Sequence, residues 1–123
     1  MLETLLLVKS AFAILAGLSI VGMWVALIRN GSVVEATTAP KEITMHIIAE
    51  LATGILLLVS GTALILGVGN AEHLWMLSMG MLIYTLVNSS GYYLQREDKM
   101  MTIMFASMFI ISVILLTLSL ITI

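Results

Sequence analysis

Four apolar stretches, each long enough to cross a lipid bilayer as a helix, occupy most of this 123-residue chain. A membrane-spanning helix needs about 20 mostly apolar residues. The runs cover residues 4–28, 43–68, 74–95 and 100–123. In hydrocarbon, backbone polar groups must be satisfied internally, which leaves helices and closed barrels. These runs are too long for barrel strands and lack two-residue alternation. Hydrophobic residues make up 61% of the chain and charged residues 10%. No water-soluble fold of this length hides that much apolar surface. The expected fold is an all-α integral membrane protein: one domain, 1–123, forming an antiparallel up-down four-transmembrane-helix bundle with short loops.

The first run is expected to be a retained span. Glu3 stands where a signal peptide would carry basic residues, and the apolar run continues through Ala11-Phe12-Ala13. Five Lys and Arg cannot form the basic patch of a nucleic-acid binder, so nucleic acid is not an expected partner. With no cysteine, thiolate catalysis and Cys-ligated metals are ruled out.

The connections are unequal. Residues 29–42 form the longest, with Asn30-Gly31 as a stop and Pro40 before the next helix. Gly69-Asn70-Ala71-Glu72-His73 and Arg96-Glu97-Asp98-Lys99 read as tight turns. Loops 29–42 and 96–99 hold Arg29, Lys41, Arg96 and Lys99, whereas the middle loop holds no Lys or Arg. The positive-inside rule makes those two loops cytoplasmic and puts both termini outside, in a plasma (inner) membrane. Lys9 dissents from this, since it sits in the first run on the outer side. It shares a face with Ala13, Ala16 and Gly17. The expectation is that it snorkels to the headgroups; the alternative points it inward, towards Glu72 or a neighbouring subunit.

The second run opens with Thr44-Met45-His46-Ile47-Ile48-Ala49-Glu50. His46 and Glu50 are one helical turn apart on one face, and Thr53 continues that face. Ionisable side chains within a span are costly and read as functional. Gly54 and Gly61 mark a close-packing stripe on the same face, which is therefore expected to be buried against protein. At a rise of about 1.5 Å per residue, Glu50 lies roughly 10 Å below the inner edge and His46 roughly 5 Å. In the third run Tyr84, Asn88, Gly91 and Gln95 share a face. The expectation is that this stripe meets the first at matching depth, Glu50 beside Asn88 and His46 beside Tyr92 or Gln95.

The expected ligand- or ion-binding residues are therefore His46, Glu50, Thr53, Tyr84, Asn88 and Tyr92. An imidazole and a carboxyl one turn apart can pair as ions or share a proton. The structural alternative is interhelical glue between Glu50 and Asn88. Ten methionines raise a Cu(I) reading, with Met101, Met104 and Met108 on one face; methionine also fills irregular gaps between helices. No catalytic set is apparent: the only aspartate, Asp98, lies in a charged turn.

The four-span layout is similar to that of the small multidrug-resistance transporters. Their essential glutamate is in the first helix, where this chain has Lys9; here Glu50 is in the second. The layout also resembles that of small fluoride channels, although no stretch matches their pore motifs. Three functions follow as expectations. First is a homo-oligomeric transporter or channel-like protein for a small ion or solute, with Glu50 binding the cation or proton. Second is a ligand-binding module or accessory subunit with a partner membrane subunit. Third, and weakest, is a membrane enzyme using His46 and Glu50 as acid and base.

Overall fold

The computed structural model describes residues 2–31 and 40–122. Among them are four helices and no strand: α1 (Leu2–Arg29), α2 (Pro40–Leu66), α3 (Ala71–Gln95) and α4 (Lys99–Thr122). The all-helical expectation holds. Three of the four, α1, α2 and α4, are long and apolar enough to cross a membrane. α3 is not among them, in contrast to the expected fourth span. Ser78, Tyr84, Thr85, Asn88, Ser89 and Ser90 dilute its apolar content.

The helix ends follow local chemistry. Pro40 occupies the first helical position of α2, where its missing N–H costs nothing. At the other end Gly67 takes φ +71°, a left-handed conformation that glycine adopts without a Cβ clash. The Val68 amide then bonds to the Ala63 carbonyl at 3.0 Å and Gly67 to Leu64 at 3.3 Å, closing a Schellman cap. α3 starts at Ala71, so Glu72 and His73 lie in its first turn rather than in a loop. α3 ends with the same pair of capping bonds, Glu97 to Leu94 and Asp98 to Tyr93. Asp98 also accepts from the Met101 amide at 3.2 Å, capping the start of α4.

The chain divides into two compact units, Met1–Trp75 and Met76–Ile123. The first contains α1, α2 and the opening turn of α3. Its centre is the α1–α2 seam, built from residues too small to hold the backbones apart. A methyl placed on Gly17 would stand 2.7 Å from the Gly54 carbonyl oxygen. One on Gly61 would stand 3.0 Å from the Ser10 carbonyl oxygen and 2.8 Å from Ile14 Cγ1. The register pairs Ser10 with Gly61 and Gly17 with Gly54, so numbers climb along α1 as they fall along α2. The expected stripe of Gly54 and Gly61 is thus buried against α1. Ala13, Ala16, Leu57 and Leu64 complete the packed interior, with Thr53 and Ser60 among them.

In the second unit the buried residues of α3 are Ser78, Met79, Leu82, Thr85, Leu86 and Ser89. Those of α4 are Phe105, Ser112, Leu115 and Ser119. Tyr93 stacks on Phe105 with ring centroids 5.4 Å apart, tying the end of α3 to the start of α4. The buried hydroxyls bond locally, Thr85 to the Leu82 carbonyl at 2.9 Å and Ser112 to Met108 at 2.7 Å. Side chains that satisfy themselves on their own helix are cheap to bury.

Candidate functional site

The seam of the first unit carries a polar cluster at each end. The first begins with Glu50, three turns into α2 and 5% exposed. An uncompensated carboxylate there would cost several kcal/mol. Two nitrogen groups converge on its Oε2 atom. The indole N–H of Trp24 donates to it from α1, and His46 Nε2 lies 3.3 Å away, one turn back along α2. The rings of Trp24 and His46 meet edge to face, with centroids 5.8 Å apart.

The donor inventory restricts what this arrangement can do. Indole nitrogen only donates, so Oε2 accepts from Trp24 in every state. His46 Nε2 lies against the same oxygen, at ion-pair distance when the imidazole carries a proton. Trp24 fixes the acid; His46, whose side chain is 32% exposed, provides contact with the surroundings. A hard cation needs several oxygen ligands, and this cluster gathers one carboxylate. Among the described residues no three His, Asp or Glu side chains gather as a metal-ligand set.

The other expected site residues are placed as follows. Thr53 is buried on the Glu50 face, but its hydroxyl bonds to the Ala49 carbonyl at 2.8 Å. Tyr84 is 73% exposed, and Asn88 is also exposed. The buried face of α3 within its own unit carries serine and threonine, Ser78, Thr85 and Ser89, residue types whose hydroxyl can bond to its own helix backbone. Tyr92 is half-exposed near the end of α3, with the Arg96 guanidinium 3.5 Å from its ring centroid and Tyr93 at its edge. Of the methionines considered for copper, Met104 is exposed and Met101 and Met108 are half-buried.

The second cluster overturns the snorkelling expectation for Lys9. Its side chain is 3% exposed and turned inward, paired with Glu72 in the first turn of α3, Nζ to Oε1 at 2.6 Å. The ammonium also lies 4.5 Å from the ring centroid of Trp75. Trp75 in turn donates its indole N–H to the Lys9 carbonyl at 3.3 Å. Once Glu72 is helical and Trp75 is one turn further on, a buried partner and an aromatic face are both in reach.

Reading the sequence missed both tryptophans as polar partners and took them only as interfacial aromatics. A signal was present for Trp24. Ala13, Gly17, Ile20 and Trp24 follow i, i+4, i+7, i+11 spacing, so the small-residue face of α1 leads to it. A buried indole needs an acceptor, and Glu50 lies across the seam.

A family model described as "Domain of unknown function (DUF8058)" matches residues 4–123. The chain belongs to that family. The match takes in all four helices of this DUF8058 chain except the first two residues of α1, and both polar clusters with them. No curated protein and no solved structure matches the chain.

Proposed function

We propose that this DUF8058 chain is a four-span protein of the plasma (inner) membrane, acting as a small oligomeric transporter or channel-like protein. Its working group is the Glu50–His46 proton pair, opening to the cytoplasmic leaflet, with Trp24 holding the acid in place. The coupled species is a proton, alone or with a small solute. The observation that carries this reading is the buried Glu50 carboxyl, linked through one oxygen to a donor from another helix and to a half-exposed imidazole.

Several features support the membrane arrangement. α1 is 28 residues long, about 42 Å at 1.5 Å per residue, and spans the hydrocarbon with some tilt. Arg29, Lys41, Arg96 and Lys99 flank the two loops assigned to the inside. The dissent of Lys9 loses its force because Glu72 neutralises it. α3 crosses as the fourth span, its hydroxyls at Ser78, Thr85 and Ser89 buried. Because the α1–α2 seam is closed by contacts under 3 Å to any added methyl, it leaves no room for solute. A path beside helices of several copies fits better, which supports an oligomer.

The test uses purified protein in sealed vesicles with a pH-reporting dye in the lumen. An imposed pH or voltage gradient should drive proton flux in the native protein. Glu50→Gln should abolish it, and His46→Ala should slow it, with helix content unchanged. Undiminished flux in Glu50→Gln would end this reading. Silence of the native protein alone, with a second membrane protein co-purifying in mild detergent, would favour the accessory-subunit reading.

A further inference from the structure

We propose that Lys9, Glu72 and Trp75 form an acid-released latch, which fastens the first turn of α3 to the α1–α2 pair and lets go when the Glu72 carboxylate is neutralised. The latch sits at the end of the seam opposite Glu50, and it does not depend on the transport reading. Glu72 and Trp75 are three residues apart on α3, so both can reach the same neighbour. Each grips Lys9. The Glu72 carboxylate takes the ammonium, Nζ to Oε1 at 2.6 Å, and the Trp75 ring centroid lies 4.5 Å from the same nitrogen. The Trp75 indole N–H also donates to the Lys9 carbonyl at 3.3 Å. Ala71 and Trp75, in the same turn, are both buried.

The two charges are unequally placed. The Lys9 side chain is 3% exposed and the Glu72 side chain 40%. Water therefore reaches the acid and not the ammonium. At neutral pH the carboxylate supplies the opposite charge that a buried ammonium needs. Once acid protonates it, that ammonium stays in surroundings where a lone charge is strongly unfavourable. The Trp75 face attracts a cation but does not cancel its charge. The ammonium regains water when the turn that grips it loosens. The pairing is thus present at neutral pH and lost as pH falls. The neighbouring elements bring no second acid to this place. α2 has no ionisable residue from Leu51 to Leu66, and residues 4–28 of α1 have none besides Lys9. Glu3 is exposed and six residues before Lys9, and His73, exposed beside Glu72, can add only positive charge. Four residues, 67–70, join the turn to α2, so it loosens without leaving.

Equilibrium unfolding in mixed micelles over a series of pH values tests the latch. Other carboxyls titrate in the same range, so the difference between variants is what counts. The native protein should lose stability on acidification more steeply than Lys9→Met, in which no ammonium is left to strand. Glu72→Gln should already be weakened at neutral pH. Lys9→Met combined with Glu72→Gln should recover most of that loss, because it buries no lone charge; this holds even where Glu72→Gln alone does not fold. His73→Ala should keep the native acid response. In Trp24→Phe protein Trp75 is the one remaining tryptophan. Its emission should be shielded from acrylamide at neutral pH and quenched in acid, and adding Lys9→Met should keep it shielded in both. Equal acid slopes in the native protein and Lys9→Met would overturn the proposal. So would a double variant no more stable than Glu72→Gln, an acid response lost in His73→Ala, or Trp75 quenched equally at both pH values.

Discussion

Gly17→Ala and Gly22→Ala make the same chemical change five residues apart on α1, and their effects should have opposite signs. At Gly22 the new methyl meets nothing within 4 Å. Alanine is the better helix former, and the gain is about 0.5–1 kcal/mol. At Gly17 the methyl stands 2.7 Å from the Gly54 carbonyl oxygen and 2.8 Å from Leu58 Cγ. Leu58 could rotate, but the carbonyl belongs to the backbone of α2 and moves only if the two helices part. Overpacking of this kind costs about 1–3 kcal/mol, which exceeds the helix-forming gain. The net change should be a loss of roughly 0.5–2 kcal/mol, and the two variants should differ by about 1–3 kcal/mol. Equilibrium unfolding in mixed micelles, followed by far-UV circular dichroism, measures both. Equal stability of Gly17→Ala and Gly22→Ala would refute the claim that a backbone-to-backbone seam holds the first unit together.

Three further outcomes follow from the polar clusters. Trp24→Phe keeps most of the ring but removes the donor to Glu50; it should cost about 1.5–3 kcal/mol in the same unfolding assay, and a change under about 0.5 kcal/mol would mean the indole N–H does not hold the carboxylate. Glu72→Gln should destabilise more than Lys9→Met, because the first leaves a buried ammonium without its counter-charge, whereas the second leaves a carboxylate that is 40% exposed and can hydrate; the reverse order would contradict the inward placement of Lys9. The Ser10 hydroxyl is buried with no partner among the described residues, so Ser10→Ala should be neutral or stabilising by up to about 1 kcal/mol, and a clear loss in the unfolding assay would mean the hydroxyl has a partner after all.

Much of the fold was legible because apolar runs and helix stops are local signals. The four helices begin and end within a few residues of the runs in the sequence, and Gly54 and Gly61 fall on the seam their spacing implied. What was not legible depended on tertiary context. The buried face of α3 could not be told from its polar residues alone, since Ser78, Thr85 and Ser89 go inward while Tyr84 and Asn88 stay exposed. Lys9 was misread because its distance from the chain start was weighed without the aromatic ring and carboxylate that a helical turn at Ala71 brings within reach. His46 and Glu50 were legible as a pair from i,i+4 spacing, but Trp24, on another helix, needed the α1–α2 register to be known.

The central claim, that the buried Glu50 carboxyl is fixed by Trp24 beside His46, is tested most directly by infrared difference spectroscopy of the protein in membranes on acidification. The account predicts a carboxyl signal that vanishes in Glu50→Gln and shifts in frequency in both Trp24→Phe and His46→Ala. A carboxyl signal unchanged in all three variants would contradict it.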